Sequence, residues 1–216
     1  ELHMEELTGK IKKHINNNIW YHGTVYSNWD NFCKNGILAD YNKDTSDALD
    51  FGYGFYLAPS KERAEHYIMS MMENADFYNE DDIPMILGFE FNPLEWFEGD
   101  EYNTKIFSKY DDEFAVFVFE NRTENIGGSK QHNYDIIFGV MSDSVPTIEI
   151  MKYKMGKSSR EEVIEALKKP TSMKQLSLHN QNICDIISLK EAYTIDRNTF
   201  ERKELNLDDY NKQRIS

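Results

Sequence analysis

The chain has 216 residues, enough for one domain with its own buried core. Lys and Arg total 24 against 38 Asp and Glu, a formal net charge of −14, which argues against a surface built to hold nucleic-acid phosphates. Hydrophobic residues at 40% and aromatics at 13% exclude a disordered chain, and 5 Pro with 11 Gly exclude collagen-like or linker composition.

Two cysteines far apart, Cys33 and Cys184, make neither a disulfide framework nor a four-thiolate zinc site. The densest apolar run, Ala115 to Phe119, is far short of the roughly 18 residues of a membrane helix, so no membrane partner is expected. Glu1-Leu2-His3-Met4 reads as a vector-derived stretch before a native start at Met4, and no signal peptide is visible. The expectation is a cytoplasmic protein.

Residues 1–18 read as a scar and arm, 5–18 being a short helix or frayed segment. Ile19 to Val25 is a short strand carrying Tyr21-His22-Gly23-Thr24. Ser27 is placed to cap a helix through Lys34, with Trp29 and Phe32 inward and Asn35-Gly36 as its stop. Asp40 to Asp50 is acidic and reads as a surface loop. Phe51 to Ala58 is a loop feeding a strand. Ser60 caps the next helix, in which Ala64, Tyr67, Ile68 and Met71 fall at helical spacing.

Asp76 to Asp82 is an acidic loop, Pro84 to Asn92 a strand, and 97–111 a polar connection. Glu113 to Arg122 is apolar on most sides and fits a buried strand or a helix. A Gly-Gly turn region (125–133) leads to a strand at Tyr134 to Met141. Thr147 to Lys154 is ambiguous. Ser158 or Ser159 caps a helix from Arg160 to Lys169 that Pro170 ends. Lys174 to His179 alternates as a strand, Asn180 to Ile187 is helical, and Leu189 to Ile195 is a strand. The charged remainder, 197–216, reads as a tail. Strands and helices intermingle without regular alternation, which favours α+β with antiparallel sheets.

Three constellations carry chemistry. His22-Gly23 sets a titratable ring beside a bare backbone; it fits a hydrogen-bonded structural histidine, or a ligand site where Gly23 N–H and C=O meet an amide. Gly52-x-Gly54-Phe55-Tyr56 fails the dinucleotide fingerprint, since Leu57 stands at the third glycine. Its aromatics, with Tyr67, are core residues or a sandwich for a flat heterocycle. Gln175, Ser177 and His179 share one strand face, either solvated or functional. The histidines lack metal-ligand spacing, no Gly-x-Ser-x-Gly elbow exists, and both cysteines read as small buried residues, so no metal is expected.

In this order the pieces resemble the ADP-ribosyltransferase superfamily, in its diphtheria-toxin and poly-ADP-ribose-polymerase branch with a His–Tyr–Glu triad. The residues are His22-Gly23, then Gly54-Phe55-Tyr56-Leu57-Ala58 with Ser60 to Tyr67, then Gln175. The step from Tyr56 to Tyr67 matches the branch's pair of stacking tyrosines. Blocks at Glu120-Asn121-Arg122, Tyr134 to Gly139 and Gln175 to His179 are similar to those of a bacterial ADP-ribosyltransferase-like family with Gln at the third position.

The resemblance implies a domain over 19–196 in which a split pair of antiparallel sheets grips NAD as substrate. It implies His22, Tyr56 and Gln175 as catalytic residues, and Gly23, Thr24, Gly54, Arg63, Tyr67 and Arg122 as NAD-binding. Lys61, Arg63 and Arg122 are the phosphate candidates. Gln175 departs from the usual Glu: it keeps a hydrogen-bonding carbonyl and loses the charge that stabilises a ribosyl cation. Single transfer to a macromolecule, with slow NAD hydrolysis, is therefore expected rather than polymer synthesis. The acidic surface favours a protein acceptor over nucleic acid. A bacterial toxin or defence effector with an antitoxin partner fits this reading. The alternative is a module that binds NAD or ADP-ribose with little or no turnover.

Overall fold

The computed structural model describes residues 7, 9–44, 49–73, 78–124, 129–142 and 145–214. The expected vector-derived start with Met4 (1–4) and the Gly-Gly pair (127–128) lie outside these, as do parts of both acidic loops (45–48 and 76–77).

The chain runs α1 (Lys10–Ile15), β1 (Ile19–Val25), a 3-10 turn (Tyr26–Asn28), α2 (Trp29–Asn35), β2 (Phe55–Leu57), α3 (Lys61–Met72), β3 (Pro84–Glu90), α4 (Leu94–Glu98), β4 (Thr104–Phe107) and α5 (Asp112–Thr123). Then follow β5 (Ile136–Val140), α6 (Val145–Lys154), α7 (Arg160–Leu167), β6 (Lys174–Leu178), α8 (Gln181–Ile186), β7 (Ser188–Ile195), β8 (Arg202–Glu204) and α9 (Asp208–Lys212).

Two four-stranded sheets result, ordered β1-β3-β7-β8 and β2-β6-β5-β4. The first is antiparallel throughout. The second is mixed, because β4 pairs parallel to β5. That corrects the all-antiparallel expectation. Its cause is the 97–111 stretch, which carries β4 and is not mere connection. Thr104, Ile106 and Phe107 of β4 are buried, yet four residues are too short a run for alternation to stand out.

The inner faces of the two sheets meet over one apolar core. Trp20, Leu87 and Phe89 pack there against Phe55, Leu57, Ile136, Phe138, Leu176 and Leu178. Helix α3 covers the outer face of the first sheet with Ala64, Ile68 and Met72, one stripe at i, i+4 and i+8. Tyr67 and Met71, which share the helical spacing, fall off that stripe. Helices α5, α6 and α7 cover the second sheet through Phe114, Val118, Phe119, Ile150, Val163 and Leu167.

Several caps follow the sequence. Ser60 Oγ accepts from Arg63 N, and Ser159 with Glu162 forms a reciprocal capping box. Gly36 ends α2 at φ 67°, where other residues are strained. Ser27 does not cap that helix; it lies inside the 3-10 turn, and Asn28 holds the cap position.

The arm and tail join the same core. Ile15 is fully buried, β8 extends the first sheet, and Tyr210 of α9 stacks on Trp29.

Candidate functional site

The edge strands β1 and β2 touch at a single bridge. Tyr21 N donates to Ala58 O at 2.9 Å, and Ala58 N returns to Tyr21 O at 2.7 Å. Continued antiparallel by two residues, this ladder would set Gly23 against Tyr56. It stops instead, because the His22 imidazole takes the place of the Gly23 N–H: His22 Nδ1 lies 2.7 Å from Tyr56 O. A carbonyl only accepts, so Nδ1 carries the proton and Nε2 is left as an acceptor. Burial pushes the His22 pKa down to about 4, the bond to Tyr56 opposing only in part, so the ring is neutral near pH 7.

Strand parity then fixes the direction of the Gly23 backbone. Tyr26 N bonds Ile83 O and Phe91 N bonds Asn18 O, so even-numbered β1 residues turn their N–H and C=O toward β3. Gly23, like Tyr21, turns both groups to the opposite edge, the side of β2. Its missing Cβ admits α3: a Cβ there would lie 2.6 Å from Ala64 O. Thr24 Oγ1 accepts from Asn28 Nδ2 at 2.8 Å and so holds the turn after β1.

On the outer face of the second sheet lies a buried polar group that composition and spacing did not indicate. Arg122 donates through Nε and Nη2 to Asp50 Oδ1, at 3.0 and 2.7 Å. Gln175 Nε2 donates to Asp50 Oδ2 at 3.1 Å. All three residues are about 7% exposed. Asp50 thus leaves the surface loop assigned to it, and Arg122 is spent on a carboxylate rather than held free for phosphates. Lys61 is likewise paired, 3.2 Å from Glu191. Arg63 remains exposed, with Nη2 3.4 Å from Ser172 Oγ at the approach to β6.

Tyr56 closes the loop that carries Asp50. Its hydroxyl donates to Gly52 O at 2.7 Å and accepts from Phe51 N at 3.0 Å, and its ring stacks on Phe51. Burial and then the Asp50 charge push this phenol well above its ordinary pKa. Tyr67 is half-exposed on α3. Burial first, then Tyr78 and Asp50, push its pKa up to about 12. The Asp50 and Arg122 charges act on both phenols, Tyr56 from β2 and Tyr67 from α3.

Two further imidazoles pin the same loop. His179 Nδ1 donates to Tyr53 O at 2.7 Å, while its Nε2 accepts from Ser177 Oγ at 2.8 Å. His132 Nε2 donates to Phe51 O at 2.6 Å, while its Nδ1 accepts from Tyr134 N at 3.0 Å. The two rings stand edge to face at 4.7 Å. Gly54 serves this packing: a Cβ there would lie 2.5 Å from His179 Nδ1. Its own N–H and C=O pair with Asn42, which gives Gly54 a structural place rather than one against a ligand.

Gln175, Ser177 and His179 do share one face, as alternation requires. It is a buried face, because β6 lies between β2 and β5 and the 50–54 loop covers it. His22 stands apart from this group, on the inner face against Phe55 at 4.3 Å, and meets Tyr56 only through its carbonyl.

Asp50 and His132 were missed in the sequence. The signal for a carboxylate was Arg122 itself: Ala115, Val118, Phe119 and Arg122 form one buried stripe of α5. A cation on such a stripe needs a buried partner.

Residues 38–189 match the family described as Protein of unknown function (DUF3990). The chain belongs to that family. The DUF3990 match takes in Asp50, Tyr56, Tyr67, Arg122 and Gln175, and begins after His22 and Gly23. No curated protein matches the chain.

Among the described residues no group of three or more His, Cys, Asp or Glu is placed to hold a metal ion, and no helix is long and apolar enough to cross a membrane.

Proposed function

We propose that this DUF3990 chain binds NAD where its two sheets part and transfers the ADP-ribosyl group to a macromolecular acceptor. The observation that carries the reading is the interrupted seam. Beyond the Tyr21–Ala58 bridge, the Gly23 N–H and C=O face the β2 side as a donor–acceptor pair. A carboxamide presents the complementary acceptor and donor, so nicotinamide fits there.

Tyr67 offers a half-open ring for stacking, and Arg63 is the accessible cation for the diphosphate. His22 Nε2 accepts from a ribose hydroxyl. In the reaction, the bond between C1′ and the nicotinamide nitrogen breaks and nicotinamide leaves with the electron pair. The acceptor nucleophile bonds to C1′ and its proton is released. Gln175 and the tyrosine faces stabilise the cationic ribose as charge develops. A protein acceptor suits the net charge of −14 better than a polyanion does. The setting of a bacterial toxin or defence effector, with an antitoxin partner, belongs to this same proposal.

A second reading, an NAD or ADP-ribose binding module, is favoured by one observation: position 175 carries an amide, and the nearest carboxylate is engaged with Arg122 instead of facing a ligand. Thermal unfolding with NAD tests the shared premise. Saturation at about a hundred times Kd stabilises by about 2.7 kcal/mol, and each kcal/mol moves Tm by roughly 2–4 °C at this size. No shift at millimolar NAD sinks both readings. Radiolabelled NAD then separates them: label transferred to protein marks the transferase, and intact bound NAD marks the module.

A further inference from the structure

The group that holds Gln175 has a consequence for how this residue meets a ligand. A carboxylate accepts only, so Gln175 must turn its NH2 toward Asp50 and its carbonyl away. Arg122 fixes Asp50 in turn by two bonds to the other oxygen. The amide orientation at 175 is thereby locked by a charged pair that reaches it from a loop and a helix.

We propose that Asp50, itself held by Arg122, is a positioning residue that presents the Gln175 carbonyl to a donor hydroxyl of the bound ligand and strengthens it as an acceptor. The strengthening is electronic. A carboxylate bonded to an amide N–H polarises the amide toward its oxygen, as in any chain of hydrogen bonds. Part of the charge absent at position 175 is in this way relayed through the amide. The buried site adds to the effect, since a low local dielectric weakens the polarisation little. The ligand half of this inference rests on the NAD reading; the amide orientation does not.

Position 175 also carries a specific prohibition. Glu there would set a second carboxylate against Asp50, and two such groups in contact do not both ionise. Gln175→Glu therefore impairs this protein instead of repairing it, unless Asp50 changes too. With Asp50→Asn beside Gln175→Glu, the amide and the carboxylate exchange places and the bond between the positions is remade.

The experiment has two arms on the full chain. The first is NMR of the 15N-labelled protein, in which the Gln175 side-chain amide is assigned by its loss in Gln175→Met. We expect one of its protons to be displaced downfield and to move back in Asp50→Asn. An amide unaffected by Asp50→Asn overturns the orientation. Should Asp50→Asn fail to fold with Arg122 left unpaired, Asp50→Asn with Arg122→Gln is read the same way.

The second arm is calorimetry and hydrolysis with NAD. Asp50→Asn and Gln175→Glu alone each weaken NAD binding by about tenfold, the scale of one charge-assisted hydrogen bond. The double exchange recovers both affinity and cleavage. Full affinity and cleavage in Gln175→Glu alone overturns the relay. A parent protein that binds no NAD removes the proposed function and the ligand half of this inference with it, and the amide shift then decides the orientation by itself.

Discussion

Arg122 shows how one residue sets the terms for its neighbours. A guanidinium on the buried stripe of α5 is tolerable only with a partner, and the carboxylate of Asp50 answers it at 2.7 Å. Removing one member leaves an uncompensated buried charge, whereas replacing both by apolar side chains removes the desolvation cost along with the attraction. We expect Arg122→Met alone to lose about 3–5 kcal/mol, and Arg122→Met with Asp50→Leu to lose markedly less. Urea unfolding of the two variants checks this. Equal losses would mean that the Asp50 carboxylate left by Arg122→Met costs no more than a leucine in its place. Cys184 is the quieter contrast: burial pushes its thiol up to about 12, so it behaves as a small apolar side chain and not as a nucleophile.

Among the elements, the contact between β1 and α3 positions the seam. Gly23 lets the helix backbone come within 2.6 Å of where a Cβ would stand, and that approach brings α3, with Tyr67 and Arg63, over the site. In Gly23→Ala the methyl meets backbone rather than a yielding side chain. We expect a loss of about 1–3 kcal/mol from overpacking, with NAD binding weakened further as α3 is pushed outward. Unfolding and calorimetry on the same sample separate the two effects. A variant as stable as the parent would show that α3 is not seated on β1 as described. Helix α7 has no such constraint; its cap is a local device, read as Ser158 or Ser159, which the structure resolves to Ser159 in a box with Glu162.

Over the molecule as a whole, acid should act chiefly through three imidazoles. His22 and His132 are held near 4 and His179 well below its ordinary value, in each case mainly by burial. The unfolded chain takes up these protons near pH 6.5, and the folded chain resists them until the pH approaches 4. Stability is therefore intact above pH 6.5 and falls as the pH drops toward 4. The slope is up to roughly 1.4 kcal/mol per pH unit for each group. Protonation also opposes the local geometry, since His132 Nδ1 would then face the Tyr134 N–H it now accepts from. Urea midpoints at pH 7 and pH 5 check this, with a lower midpoint expected at pH 5. His132→Gln should flatten the dependence; a midpoint unchanged between the two pH values would show that these rings take up protons in the folded chain as readily as in the unfolded one.

What the sequence determined by itself was mostly local. Short apolar runs placed β1, β3 and β7, alternation placed β6, and caps and stops placed α3 and α7, because hydrophobic pattern and hydrogen-bonding side chains act within a few residues. The shared face of Gln175, Ser177 and His179 was legible for the same reason. Tertiary structure decided the rest. Residues 104–107 became a parallel edge strand because the buried β5 offered a partner, and no local pattern encodes which strand lies beside it. Asp50 looked like one more acidic loop residue until Arg122, distant in sequence, drew it inward. The Gly23 edge stays open because His22 reaches across to the Tyr56 carbonyl, a competition between side chain and backbone that exists only once the two sheets have met.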